Sequence, residues 1–168
     1  MKTYRILAVL TSLFALPIFL NLYVIGKDTK KKVKNDVCSA SNPASICAAE
    51  NTCGSASSPC SVDIGRSEGS SASATPSISG AKPNKAFCIK TGTTVTFTSS
   101  SKDTGFVLDF GASNPFDHQG AVMGGADRPV TVTAKHPGCY TYSVGACTAG
   151  TVYGMCGEDV AQLIISDK

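Results

Sequence analysis

Past Pro83 the apolar residues recur at period two, and that spacing limits the possible folds more than any other feature of the chain. Phe87 and Ile89 alternate with Cys88 and Lys90; after a Thr91-Gly92 turn, Val95 and Phe97 alternate with Thr94, Thr96 and Thr98. Successive side chains of a strand point to opposite faces, so each run has one apolar face and one polar face. The same reading makes GFVLDF, residues 105 to 110, a short strand, and places Val130, Val132 and Ala134 on one side of another. Pro137-Gly138 then turns the chain into a strand from Cys139 to Val144, with Tyr140, Tyr142 and Val144 sharing a face, and Gln162 to Ser166 closes the chain. Upstream, Cys60 to Ile64, with Val62 and Ile64 on one side, reads as a first strand, and residues 66 to 80 read as a long loop. No segment after residue 35 has a helical period, so the expected class is an all-β sandwich.

Eight cysteines, Cys38, Cys47, Cys53, Cys60, Cys88, Cys139, Cys147 and Cys156, would staple such a fold. In a small chain behind an export-type leader, an even count points to disulfides in an oxidising compartment. Structural zinc is the competing reading, but there is no Cys-x-x-Cys, and His118 and His136 are the only histidines. From Ser39 to Gly80 the chain has thirteen serines with frequent Ala, Gly and Pro, a composition that buries no core by itself. It reads as a spacer, except that Cys38, Cys47, Cys53 and Cys60 lie in or beside it. Pairing among those four allows three connectivities, all open at this point.

At the N-terminus, Lys2 and Arg5 precede an apolar run from Ile6 to Gly26, broken only by Thr11, Ser12, Pro17 and Asn21. This pattern fits a secretory signal, with Val24 and Gly26 as small residues before a cleavage point, and the run is also long enough to remain as a membrane-anchoring helix. Residues 1–34 carry seven Lys or Arg against one acid, Asp28, whereas residues 35–168 carry eight against eleven, so the charge is +6 in the first part and −3 in the second. Lys27, Lys30, Lys31, Lys32 and Lys34 would by themselves favour a cytoplasmic flank, against the cysteines. The cysteines decide for export, and the lysines read as a solvated spacer or a contact for anionic lipid headgroups. The expected organisation is a signal or anchor over residues 1–26, a Lys-rich then Ser/Cys-rich spacer over 27–59, and the sandwich over 60–168, with membrane contact confined to residues 1–34.

Three segments resemble the cupredoxin family of copper-binding β-sandwiches. KTGTTVTFTSS, residues 90–100, is similar to its Lys-x-Gly-x-x-Val-x-Phe strand pair. TGFVLDFG, residues 104–111, is similar to the segment that places the first histidine ligand, and HPGCYTYSVGACTAGTVYGMCGEDVAQLII, residues 136–165, resembles the closing strands. The resemblance implies a Greek-key sandwich of cupredoxin-like type over roughly Cys60 to Lys168. A blue-copper centre needs a thiolate, two imidazoles and a weak axial thioether. Here Phe106 to Asp109 contains no His, Val144 stands at the thiolate position, Cys147 at the second His, and only Met155 matches, as the axial ligand. The resemblance therefore implies a sandwich without its copper, in which a Cys147–Cys156 disulfide staples the end that would surround the metal. Cys88 and Cys139, on two expected strands, would then join across the sandwich. The alternative is a copper-handling or electron-transfer protein in which reduced Cys147 and Cys156, with Met155, hold Cu(I).

Catalytic arrangements are not signalled. His136 precedes a turn, His118 lies in the loop NPFDHQG beside Asp117, and no Gly-x-Ser-x-Gly, His-Glu-x-x-His or phosphate loop occurs. Glu158 and Asp159 are adjacent, so on an extended chain they point apart and make no acid–base pair. Gly124-Gly125 followed by Asp127 and Arg128 reads as a turn. With no Trp and no basic patch after residue 35, nucleic acid is not an expected partner. The expected role is a non-catalytic structural or binding module at the cell envelope, without cofactor, meeting an envelope or extracellular protein.

Overall fold

The computed structural model describes residues 36–55, 57–66, 71–149 and 155–167, all within the compact unit Lys31–Lys168. The expected signal or anchor over residues 1–26 and the lysines up to Lys34 lie outside the described residues.

Among the described residues nine strands form two sheets: β1 (Cys60–Arg66), β2 (Ala72–Pro76), β3 (Phe87–Lys90), β4 (Thr94–Thr98), β5 (Thr104–Asp109), β6 (Val122–Gly125), β7 (Val130–Thr133), β8 (Gly138–Thr148) and β9 (Met155–Ser166). One sheet has the order β2-β1-β4-β7, the other β3-β9-β8-β5-β6. β1 runs parallel to β4 and β3 parallel to β9; the remaining neighbours are antiparallel. Period-two patterning places the core between the sheets. Val62, Ile64, Val95, Phe97 and Val132 come from the first sheet, and Phe87, Ile89, Phe106, Leu108, Tyr142, Val144, Leu163 and Ile165 from the second, in one buried cluster. β5 shows the cause most clearly, since its six residues alternate buried and exposed without a break.

Two strands arise where the sequence reads as loop or turn. Residues 72–76, ASATP, form β2 inside the stretch expected as a long loop, with Ala72 and Ala74 buried against the core. The strand has no β-branched apolar residue, and its pairing with β1 comes from tertiary context. Its outer edge is covered by Asn84, a left-handed residue at φ 57°, whose amide donates to Ala72 O at 2.8 Å and accepts from Ala74 N at 2.7 Å. β6 begins the turn expected at Gly124-Gly125, and Gly125 and Arg128 close that turn by exchanging backbone hydrogen bonds of 3.0 and 3.2 Å.

The disulfides correct the expected connectivity. Cys88 is joined to Cys47 and Cys139 to Cys38, so Cys88 and Cys139 are not joined to each other. They cannot bridge the sandwich because both face outward, away from the core, where Ile164 lies directly opposite each of them across the ladders. Cys53 pairs with Cys60, and Cys147 with Cys156, the pair that the resemblance implies. None of the three connectivities among Cys38, Cys47, Cys53 and Cys60 therefore holds: the Ser-rich stretch has one local bridge, Cys53–Cys60, and two long ones to Cys88 and Cys139.

The expected spacer is accordingly part of the folded unit from Asp36 onward. Residues 36–53 strap the outer face of β3 and β9, through short 3-10 turns at Pro43–Ile46 and Ala49–Asn51. Gln162, 2% exposed, is the anchor: its amide accepts from Val37 N at 2.9 Å and donates to the Asp36 carboxylate and to Thr141 Oγ1. At the far end of the strap Cys53 N donates to Cys88 O at 2.8 Å and covers the open edge of β3. This cover is why Cys88, on the polar phase of its strand, is fully buried with Phe87 and Ile89.

Candidate functional site

The residues that the resemblance assigns to a copper centre do not converge. Within Phe106–Asp109, Leu108 lies directly opposite Val144 in the β5–β8 ladder, and both are fully buried in the core. Where the resemblance implies an imidazole from this segment and a thiolate at Val144, the facing pair is aliphatic. β8 continues as strand to Thr148, so Val144 and Cys147, three residues apart, point to opposite faces, Val144 inward and Cys147 to solvent. The backbone of Met155 is paired with Thr148, four residues beyond Val144, or about 13 Å along the strand. The side chain of Met155 lies outside the described residues. Cys147 and Cys156 are bonded to each other, and among the described residues no cluster of three or more His, Cys, Asp or Glu side chains is placed to hold a metal ion. This donor set does not fit a type 1 copper.

The remaining single residues have local roles. His118 shares a hydrogen bond of 3.2 Å between Nε2 and Ala121 O, inside a loop that Asn114 ties through Gly120 O and Phe116 N. Asp117, next to it, accepts from Thr133 N at 2.8 Å, and this bond, with the Lys135 cation, lowers its pKa below the ordinary carboxylate value. His136 is exposed, and its carbonyl accepts from the Tyr140 hydroxyl at 2.9 Å. Glu158 and Asp159 lie opposite Gly145 and Val144, on different faces of β9. Tyr142 is buried and stacked on Phe110 with centroids 4.6 Å apart; its hydroxyl has no hydrogen-bond partner among the described residues, and burial raises its pKa.

What the fold does leave open is the outer face of β8, β5 and β6, the part of the larger sheet that the strap does not reach. One row across it reads Met123, Val107, Gly145 and Glu158; the next reads Gly125, Gly105, Cys147 and Cys156. Met123 is 66% and Val107 39% exposed, the two large apolar side chains on the described surface. Val107 leans over Gly145, where a β-carbon would come within 2.8 Å of its Cγ1. Beside these rows a shallow cleft of about 550 Å³ is lined by Lys102, Asp103, Gly105, Met123, Gly125 and Arg128, among others. Sequence reasoning missed this face. Its signal was the β5 run itself, in which Val107 is an apolar residue on the polar phase, between Gly105 and Asp109.

No protein-family model, curated protein or solved structure matches the chain in comparisons against all three.

Proposed function

We propose that the chain is an exported, disulfide-stapled sandwich of Greek-key, cupredoxin-like type that works without a type 1 copper, as a non-catalytic structural or binding module at the cell envelope. The path of the chain supports the Greek-key reading: it leaves one sheet for the other after β2, β3, β4, β6 and β7, and the hairpin partners β5–β6 and β8–β9 end side by side. Four disulfides support an oxidising compartment outside the cytoplasm.

The observation that carries the reading is the Leu108–Val144 contact. Two fully buried aliphatic side chains stand directly opposite each other where the resemblance implies copper ligands, and neither can ligate a metal. Binding falls instead to the open face with Met123 and Val107, whose exposed apolar surface fits an envelope or extracellular protein.

The test is metal content and thiol count measured together on full-length protein secreted from cells grown with copper. The expected result is no free thiol and no retained copper. Stoichiometric copper with free thiols at Cys147 and Cys156 would instead establish the Cu(I) alternative.

A further inference from the structure

We propose that Cys147–Cys156 is a thiol–disulfide exchange site, entered across a floor of glycine and attacked first at Cys147. The four disulfides divide by exposure. Cys53, Cys60 and Cys88 are fully buried and Cys38, Cys47 and Cys139 half-buried, whereas Cys147 and Cys156 are both exposed. They also divide by structural need. Three of the bridges fix the strap or its end to the sandwich, but Cys147 and Cys156 are directly opposite in a β8–β9 ladder of eleven paired positions, which holds the strands together without them. Opening this bridge leaves the fold in place, as an exchange site requires.

The approach to the sulfur is where the sequence departs from what the fold needs. A thiolate displaces a disulfide sulfur from behind, in line with the bond that breaks. The line from Cys156 through Cys147 continues across β5 and then β6. The residues directly opposite along it are Gly105 and Gly125, on the same face as Cys147, so neither of these ladder positions puts a side chain in the path. Glycine inside a strand weakens it and marks a place where a ligand or another backbone comes close. At Gly105 no backbone constraint demands it: its φ is not positive, and a β-carbon would meet only Gly124 O, at an ordinary 3.7 Å. An open path to the Cys147 sulfur accounts for a residue that the backbone does not require.

The chemistry is balanced by a dithiol reductant. Its first thiolate bonds to Cys147 Sγ, the Cys147–Cys156 bond breaks, and the electron pair leaves on Cys156, which takes a proton from solvent. The reductant's second thiolate then attacks its own sulfur in the mixed disulfide and releases Cys147, which is protonated in turn. The reductant is oxidised to a disulfide by two electrons, and the protein gains two thiols.

The experiment exposes the native full-length chain to dithiothreitol or to glutathione, quenches by acid and alkylation, and maps each cysteine by mass spectrometry. The expected result with dithiothreitol is two thiols per chain, at Cys147 and Cys156, with the other three bridges intact. With glutathione, the adduct falls on Cys147 and the alkyl group on Cys156. Gly105→Val, a residue suited to a strand, slows the exchange about tenfold with no loss of thermal stability, because access limits the rate. Resistance of the bridge until the protein is unfolded would overturn the proposal. So would a glutathione adduct on Cys156, a mapping that needs no variant, or an unchanged rate in a folded Gly105→Val protein.

Discussion

Tyr142 carries the one buried hydroxyl among the core aromatics, set against Phe110 and left without a hydrogen-bond partner among the described residues. A hydroxyl removed from water with nothing to bond costs free energy, while the ring keeps its stacking and its area. Tyr142→Phe is therefore expected to leave stability unchanged or raise it by about 1 kcal/mol, read from the midpoint of urea unfolding; a loss of similar size would show that the hydroxyl is bonded in solution. Tyr142 itself was legible, as were Val144 and Leu108, because residues at alternate positions of a strand share a face and the apolar set must face inward. The candidate site was less so. Gly105 and Val107 lie in the same run as Phe106 and Leu108, but their importance depends on which strands become neighbours, and period two is silent on that. That Val144, at the position where the cupredoxin resemblance implies a thiolate, cannot ligate a metal was legible from sequence alone; that Cys147 faces away from it required knowing that β8 runs on to Thr148.

Among elements, the strap and β2 depart furthest from expectation, and each is held by a polar side chain rather than by apolar area. Asn84 holds the edge of β2 with two side-chain hydrogen bonds from a left-handed backbone. Asn84→Ala loses both bonds and strains the backbone, at a cost of about 2 kcal/mol; Asn84→Gly loses only the bonds, at about 1 kcal/mol. Equal losses in the two variants, measured by chemical denaturation, would mean that the backbone conformation contributes nothing. The strap is held at its start by Asp36, whose pKa is lowered by hydrogen bonds from the Ser39 hydroxyl first and the Gln162 amide second. A carboxylate with a depressed folded pKa contributes stability in full above its ordinary value of 3.8 and loses it as pH falls through the folded value. Amide exchange at Val37 and at the Gln162 side chain should therefore stay slow down to that pH and accelerate below it. In Asp36→Asn the acceleration is expected to vanish, because no proton is taken up there. A Ser-rich composition concealed this element, since its attachment depends on distant partners, Gln162, Cys139 and Cys88, and not on a hydrophobic period of its own.

For the whole molecule, the number of cross-links was legible and their partners were not. Even cysteine count and compartment argue for bridges, but pairing is fixed by three-dimensional neighbours, and Cys88 and Cys139 looked alike in sequence because both sit on strands. Their outward direction is what sends each to the strap. The consequence is a ranking of the bridges by the length of the loop each closes. Cys38–Cys139 spans 101 residues, but Cys47–Cys88 is nested inside it and removes 41, so the loop it closes in the otherwise intact protein is about 60 residues. On chain entropy that closure is worth about 4 kcal/mol, against about 2.5 kcal/mol for the nine-residue span of Cys147–Cys156. The first bridge also holds Asp36 and Val37 at Gln162, so its loss frees polar contacts that the second does not touch. Replacing Cys38 and Cys139 by Ala should thus destabilise the protein more than replacing Cys147 and Cys156 by Ala, by about 1 to 2 kcal/mol in denaturant unfolding of the oxidised proteins. The opposite order would mean that the β8–β9 hairpin depends on its cross-link, and that the ladder of eleven pairs is not self-sufficient.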